Sequence, residues 1–171
     1  MDRKAIVAEE RVFLMRAIGV IRTPFLDLEG MPIQPAGARG VAGTVEVFDE
    51  FAAGLMDIDG FSHAILLYAF HMSEGYESIV TPFLDAQPHG VFATRAPRRP
   101  NPVGLSVVRI VGVEGAVLHV ENIDVLDGTP LLDIKPYVPG FAADGEVRIG
   151  WLESSGGSVD ERRSDDRFLE R

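Results

Sequence analysis

The middle of the chain constrains the fold most, because it is a succession of apolar runs separated by glycine turns. These runs are residues 104–113, 116–123 and 130–137, separated by Glu114-Gly115 and Asp127-Gly128. Short runs around such turns are typical of β-hairpins. Further strand-like runs are residues 17–22, 41–48, 62–70 and 145–152, while residues 24–40 and 75–88 have the composition of loops. Strands are therefore expected to dominate the structure.

Only one segment has a helical pattern. Apolar residues recur at helical spacing from Phe48 to Leu55, with Asp49 as a candidate N-cap and Gly60 as the end. Because helices do not alternate with strands, a doubly wound parallel sheet is not expected. The chain also lacks a G-x-G-x-x-G motif between a strand and a helix. We predict a mainly β fold, a single-sheet β-barrel with one or two short helices.

Composition narrows the class of protein. A chain of 171 residues fits one domain with a real core, and the absence of cysteine excludes disulfides and thiolate metal sites. The four histidines show no metal-ligand spacing, so no metal is expected. No early segment is typical of a signal peptide, and the apolar run at residues 64–70 is too short to cross a bilayer. We expect a cytoplasmic protein with no membrane contact.

The boundaries of that domain follow from the same pattern. Residues 1–16 are predicted to be an N-terminal extension, and residues 17–152 the barrel domain. Residues 153–171 are polar, charged and rich in glycine, so we expect a disordered tail there.

Residues 90–106 form a basic, proline-rich run in an acidic chain whose formal net charge is −10. The run contains Arg95, Arg98, Arg99, Pro97, Pro100 and Pro102. Prolines stiffen the backbone, and arginines on a stiff support suit the binding of an anion in a fixed pose. That anion could be a tRNA phosphate or the carboxylate of a small cofactor, although the overall acidity argues against nucleic acid. A solvated surface loop is the alternative.

Two long motifs resemble those of a known family. Residues 92–104 resemble F-A-T-R-S-P-x-R-P-N-P-I-G, with Ala96 for serine and Val103 for isoleucine, and residues 124–137 resemble L-D-x-x-D-G-T-P-x-x-D-I-K-P-Y. Both are signatures of the TsaA-like proteins, the TrmO family. Shorter blocks at residues 18–24 and 61–71 agree in order, so the resemblance covers roughly residues 17–139.

The resemblance implies a function. Members of the TrmO family are S-adenosylmethionine-dependent methyltransferases that act on N6-threonylcarbamoyl-adenosine beside the tRNA anticodon. They are built on a β-barrel and work as dimers. By resemblance we expect S-adenosylmethionine as methyl donor, tRNA as substrate, a homodimer, and no metal.

The resemblance also implies residues that bind the donor. They are Gln34, Pro35, Ala36, Phe70, His71, Arg95, Leu105, Glu121, Asn122, Ile123 and Asp124, with Ala36 replacing a glycine of the family's Q-P-G element. Each has a structural alternative. Arg95 could pair with a local carboxylate, Leu105 and Phe70 could be core residues, and Asp124 could form a turn, as is expected of Asp127.

The acceptor side is implied by resemblance as well. Arg98, Arg99 and Asn101 are candidate substrate-binding residues. Asp133, Lys135 and Tyr137 alternate along one strand, so they share a face and are candidate catalytic residues. Asp133 could be the base or hold the adenine amine, and Lys135 could meet an anionic group of the acceptor. The alternative is a solvated outer face with an ion pair between Asp133 and Lys135.

Methyl transfer from a sulfonium needs positioning groups more than a nucleophile. No Ser-His-Asp pattern is evident, and Ser106 lies within a strand with no base at recognisable spacing. Two alternatives remain open beside the tRNA methyltransferase. One is a methyltransferase for a smaller, non-tRNA acceptor. The other is a non-catalytic module that binds S-adenosylmethionine, which would not need Asp133, Lys135 and Tyr137.

Overall fold

The computed structural model describes residues 12–32, 35–141 and 145–153, together with Ser164. Its barrel strands are β1 (Gly19–Arg22), β2 (Ala42–Val47), β3 (His63–Ala69), β6 (Val103–Glu114), β7 (Val117–Glu121) and β8 (Thr129–Pro136), and a separate pair is formed by β4 (Ile79–Val80) and β5 (His89–Gly90). The six barrel strands close in the order β1–β2–β7–β6–β3–β8, and every pairing is antiparallel. The predicted single-sheet barrel is confirmed.

The barrel interior is apolar, because alternate residues of each strand point inwards. Fully buried side chains from six strands fill it: Ile21, Val45, Leu66, Val108, Leu118, Val120 and Leu131. In β6 the buried positions are Gly104, Ser106, Val108 and Ile110, which alternate with more exposed residues such as Leu105 and Val107. A serine therefore lies on the inner face of an otherwise apolar strand.

The hairpin predicted at Glu114-Gly115 is confirmed, because β6 pairs with β7, and the second predicted turn at Asp127-Gly128 leads into β8, which pairs with β1 and β3 rather than with β7. Gly115 has a φ of 60° in the turn between β6 and β7, and Gly128 has a φ of 76° just before β8. Asp127 is a turn residue, as expected, and its carboxylate accepts a hydrogen bond from the backbone N of Thr23 at 3.0 Å. Arg22 lies 3.5 Å from the other oxygen, so Asp127 joins the end of β1 to the loop before β8.

The helical segment differs from the prediction. It consists of the 3-10 segments Asp49–Leu55 and Ile58–Gly60, separated by Asp57 in the left-handed region with a φ of 66°. Asp49 is not the N-cap; Phe48 takes that position without a side-chain cap. Leu55, at the end of the first segment, and Ile58, at the start of the second, are both buried against the barrel core.

Two further differences lie beside the barrel. The strand predicted at residues 145–152 is wrong, because the described residues there form a bend and then the 3-10 segment Gly150–Glu153. Trp151 is held by contacts of its indole rather than by a strand ladder: Nε1 donates to the carbonyl of Ala93 at 2.9 Å. The predicted loop at residues 75–88 contains β4. The tail predicted to be disordered lies outside the described residues, apart from Glu153 and Ser164.

Candidate functional site

A cavity of about 670 Å³ lies at one end of the barrel. Its walls come from the end of β3 and the residues after it, the start of β6, the residues before β8, and the arginine–proline loop, defined here as residues 91–102. Leu28, Met31, Trp151 and Ser164 contribute from segments outside the sheet. The volume lies in the range of small-molecule sites, and most lining side chains are apolar.

The arginine–proline loop is rigid for local reasons. The hydroxyl of Thr94 donates to the carbonyl of Val91 at 2.9 Å and accepts from the backbone N of Ala96 at 3.2 Å. Val91 and Ala96 are buried together with Val80 in a small apolar cluster beneath the loop. The backbone of Arg95 thus lies between two residues that these contacts anchor, Thr94 and Ala96.

Arg95, Leu105 and Asp124 come together at the cavity, as the resemblance implied. The Arg95 guanidinium donates to the carbonyl of Leu105, and its charge acts on the carboxyl of Asp124. Burial raises the pKa of that carboxyl, while a hydrogen bond from Ser106 and the charge of Arg95 oppose the rise. The cavity therefore holds a cation and a carboxyl group side by side.

Two side chains that contact this wall were not predicted from the sequence: Tyr68, which lines the cavity, and Ser106, which is buried beside it. The Ser106 hydroxyl lies 2.6 Å from Oδ1 of Asp124, and the Tyr68 hydroxyl lies 3.0 Å from Ser106. Both are buried, and burial raises the pKa of the Tyr68 hydroxyl. The only signal in the sequence was a lone hydroxyl residue at an inward position of each apolar strand.

Phe70 and His71 also line the cavity. Phe70 packs edge-on against Tyr68 with ring centroids 5.6 Å apart, and Nδ1 of the exposed His71 lies 3.4 Å from the hydroxyl of Thr129. Phe70 packs against the barrel core and still faces the cavity, so both interpretations of it hold. Across the cavity, Trp151 stacks on His89 with ring centroids 4.4 Å apart, and His89 lies 3.0 Å from a carboxylate oxygen of Asp85.

The other arginines of the loop differ from each other. Arg99 lines the cavity, where its guanidinium lies 3.4 and 3.5 Å from the carbonyls of Thr94 and Ala96. Among the described residues no carboxylate forms an ion pair with it. Arg98 instead pairs with Glu77 at 3.0 Å, away from the cavity. Asn101 is exposed and is not among the lining residues.

Of residues 121–124, only Asp124 lines the cavity. Glu121 pairs with Arg109 of the neighbouring strand, Nε to Oε2 being 3.2 Å. Asn122 has a φ of 66° and accepts a hydrogen bond from the backbone N of Gly40 at 2.9 Å. Ile123 is fully buried in the core. These three residues anchor the segment that presents Asp124.

The predicted Gln34, Pro35 and Ala36 element is described only in part. Gln34 lies outside the described residues. Pro35 and Ala36 begin the 3-10 segment Pro35–Ala38, and Ala38 is fully buried. The bond between Asn122 and Gly40 ties this loop to the segment that carries Asp124.

The three candidate catalytic residues do not line the cavity. Ile134 packs against the core, so Asp133 and Lys135 point outwards from β8. Nζ of Lys135 lies 2.6 Å from Oδ2 of Asp133, and both side chains are about half exposed. Tyr137 follows the strand and packs edge-on against His63 at 6.4 Å. The arrangement matches the ion-paired outer face left open above.

Two features were sought among the described residues: a cluster of metal-binding side chains and a helix that could cross a membrane. No group of three or more His, Asp or Glu side chains there could hold a metal ion. Within the same residues, no helix has the length and apolar character needed to cross a bilayer.

Comparison with known proteins confirms the resemblance. The model of the tRNA-methyltransferase O N-terminal domain matches residues 20–143. A probable S-adenosyl-L-methionine-binding protein of Pyrococcus abyssi is 52% identical over 154 residues, which cover 90% of this chain and 84% of that protein. The tRNA (adenine(37)-N6)-methyltransferase of Escherichia coli is 36% identical over 137 residues, which cover 74% of this chain and 58% of that enzyme.

The fold agrees with these relatives. The crystal structure of TrmO from Pseudomonas aeruginosa has a TM-score of 0.68 and 39% identity, and the match covers 82% of this chain and 62% of that one. The chain thus spans most of the Pyrococcus relative but less than two thirds of the other two. A family model that matches most of the barrel, together with these relatives, places the chain in the TrmO family of tRNA methyltransferases.

Proposed function

We propose that the cavity binds S-adenosylmethionine and that the protein transfers its methyl group to a nitrogen of adenine. One observation carries the proposal: Arg95 and the Asp124 carboxyl meet in one largely apolar cavity. S-adenosylmethionine has an aromatic base, a pair of ribose hydroxyls and a zwitterionic amino acid. Phe70 offers a ring for the base, Asp124 accepts from hydroxyl or ammonium groups, and Arg95 attracts the carboxylate.

The acceptor we propose is N6 of threonylcarbamoyl-adenosine next to the anticodon of a tRNA. Support comes from the name of the E. coli relative, a tRNA (adenine(37)-N6)-methyltransferase. Arg99 supports it too, because a cavity cation that forms no ion pair with a described carboxylate suits the acceptor's carboxylate. With a net charge of −10, this protein has to bind RNA through local positive patches rather than through its overall charge.

Asp133, Lys135 and Tyr137 remain proposed catalytic residues, provided that the methyl acceptor can reach them. Because Asp133 and Lys135 lie on the outer face of β8, they reach an acceptor only if it approaches that face. In a homodimer, which we also propose, that face of one subunit could stand beside the cavity of the other. Arg98 and Asn101, which lie outside the cavity, would contact tRNA at its rim.

The proposed division of the chain stays as the sequence predicted it: an extension at residues 1–16, the barrel domain at 17–152 and a tail at 153–171.

A methyltransferase for a smaller acceptor and a non-catalytic binding module are the alternatives to the proposed tRNA methyltransferase. The cavity alone fits all three, since each binds the same donor.

Methyl transfer from radiolabelled S-adenosylmethionine to tRNA tests the proposal. The full chain is incubated with tRNA that carries threonylcarbamoyl-adenosine and with the same tRNA lacking it, at low and at physiological salt. Transfer to the modified tRNA alone is expected, and Arg95→Ala serves as the donor-site control. No transfer to either RNA, with donor binding intact by calorimetry, would favour the smaller acceptor or the binding module.

A further inference from the structure

The buried hydroxyls of Tyr68, which lines the cavity, and of Ser106, which lies beside it, form a line of hydrogen bonds with a fixed direction. Each hydroxyl has one proton to donate, and an ionised carboxylate can only accept. The Ser106 hydroxyl donates its proton to the Asp124 carboxylate across 2.6 Å. The Ser106 oxygen therefore accepts from the Tyr68 hydroxyl, which lies 3.0 Å away. The line therefore runs from Tyr68 through Ser106 to Asp124 and ends at the cavity.

The barrel is shaped to make room for this line. Tyr68 of β3 is paired with Gly104 of β6, and a Cβ built on Gly104 would lie 2.2 Å from the Tyr68 ring. Without a side chain at Gly104, the ring can lie across β6. Its hydroxyl then reaches Ser106, the next residue on the same face of β6.

We propose that Tyr68 and Ser106 are positioning residues, whose hydroxyls orient the Asp124 carboxylate and hold it ionised so that it accepts a hydrogen bond from a hydroxyl or ammonium group of the bound ligand. The inference rests on the proposed function in taking that ligand to be S-adenosylmethionine. A carboxylate has about four lone-pair sites, so the bond from Ser106 leaves acceptor capacity towards the cavity.

Electrostatics shows why Asp124 needs this support. Burial favours its neutral form, which cannot accept as strongly, and the Ser106 hydrogen bond opposes burial. Arg95 acts in the same direction as Ser106. The other titratable or charged side chains at the cavity wall are Tyr68, His71 and Arg99. All of them are retained when Ser106 is changed, so the effect of Ser106 can be read as a difference from the wild type.

The first arm of the test is calorimetric titration with S-adenosylmethionine. We expect Ser106→Ala to weaken donor binding by about tenfold, as loss of a hydrogen bond to a charged group does. Tyr68→Phe keeps the ring over Gly104 and should weaken binding less, by about threefold, because Ser106 still donates. Tyr76→Phe, at an exposed tyrosine outside the cavity, is the matched control. The double variant should bind no worse than Ser106→Ala, since Tyr68 acts through Ser106.

The second arm begins with a titration that needs no ligand. The titration of the Asp124 carboxyl is followed by carbon NMR of protein labelled at aspartate, and Ser106→Ala is expected to raise its pKa. As the pH is lowered, the donor affinity of this variant should begin to fall at a higher pH than the donor affinity of the wild type does. The reason is that protonation of Asp124 removes a hydrogen-bond acceptor. Thermal unfolding of each variant reports folding, and Tyr68→Phe carries the test if Ser106→Ala does not fold.

The outcomes separate the two ideas. A wild type that does not bind S-adenosylmethionine, with the Asp124 titration shifted in Ser106→Ala, would refute the proposed donor and support the orienting line. A wild type that binds the donor, with affinity and titration unchanged in both variants, would overturn the line. Losses that multiply in the double variant would also overturn it, because they would show that the two residues act independently.

Discussion

The arginine–proline loop and the outer face of β8 both match motifs of the family closely, but they occupy different places relative to the cavity. The loop brings Arg95 and Arg99 to a cavity together with Asp124 and side chains from several other elements. The face of β8 turns Asp133 and Lys135 away from that cavity, and they form an ion pair with each other. A close match to a family motif therefore identifies candidate functional residues, but it does not show that they belong to the same site of one subunit.

The cause of the difference is geometric. Residues 91–102 cross the open end of the barrel, where several segments converge, whereas β8 is a wall with an inner and an outer face. Ile134 occupies the inner face with the core residues, which leaves its two charged neighbours outside. If the outer face takes part in catalysis, the acceptor must bridge the distance or a second subunit must supply the cavity.

The largest effect is expected at the outer face. Asp133→Asn should lower methyl transfer to modified tRNA by about a hundredfold while donor affinity is retained, because transfer depends on a placement within about 1 Å. Tyr137→Phe should act in the same direction. Radiolabel transfer and calorimetry on the same preparations measure the two quantities. Asp59→Asn, at an exposed aspartate of a 3-10 segment, is the matched control. Wild-type rates in Asp133→Asn would leave the face with a structural role only.

Mixing subunits sharpens that test. If the cavity of one subunit works with the β8 face of its partner, Arg95→Ala and Asp133→Asn chains, each of low activity alone, should recover activity when refolded together. The mixed dimer has one composite site with both residues intact. Sedimentation of the mixture checks that dimers form. No recovery from a mixture that does form dimers would place both residues in a site within one subunit.

The next effect concerns the loop. Arg95→Ala removes a charge-assisted hydrogen-bond donor from the cavity and should weaken S-adenosylmethionine binding by roughly 1.5–3 kcal/mol, about one to two orders of magnitude in affinity. Calorimetric titration measures it, with Arg16→Ala as a control at an exposed arginine that pairs with Glu50. Unchanged affinity would show that Arg95 is not part of the donor site. The arginine–proline loop would then have no more support as a binding region than the outer face of β8.

Much of this architecture was predictable because hairpins are local. The turns at Gly115 and Gly128 lie between adjacent runs of sequence, and the prolines of the loop act on their own neighbours. The Ser106 hydroxyl was harder. Its partners Tyr68 and Asp124 are 38 and 18 residues away, and they meet it only because β3 pairs with β6 in one register and the loop before β8 folds back.

The wrong predictions have similar causes. Residues 145–152 have the composition of a strand, but the Trp151 indole contacts Ala93 of the arginine–proline loop and His89 of β5. The spacing from Phe48 to Leu55 fits an α-helix as well as a 3-10 helix, and in the structure the segment ends at Leu55, after which the left-handed Asp57 lets Ile58 pack against the barrel core as well. In both segments, packing against an element distant in sequence determined the local structure, and local sequence patterns carry no information about that packing.

A third prediction tests the packing behind the cavity. Gly104→Ala would place a Cβ 2.2 Å from the Tyr68 ring, so the ring must move, and we expect a loss of about 1–3 kcal/mol in the free energy of unfolding. Gly112→Ala is a matched control in the same strand, because a Cβ there meets nothing within 4 Å. Urea unfolding measures both. Equal stability of the two variants would mean that the Tyr68 ring adapts at no cost.

The smallest effect is expected from the ion pair on β8. Lys135→Ala should lower the free energy of unfolding by less than about 1 kcal/mol, because both partners are half exposed and screened by water and salt. A double-mutant cycle with Asp133→Asn, in urea at low and at high salt, isolates the coupling between the two side chains. A weak coupling means that Lys135 can exchange Asp133 for an anionic group of an acceptor at little cost, which the proposed catalytic role requires. A strong, salt-independent coupling would mean that the pair holds the barrel wall together, and the two regions would then differ in purpose as well as in position.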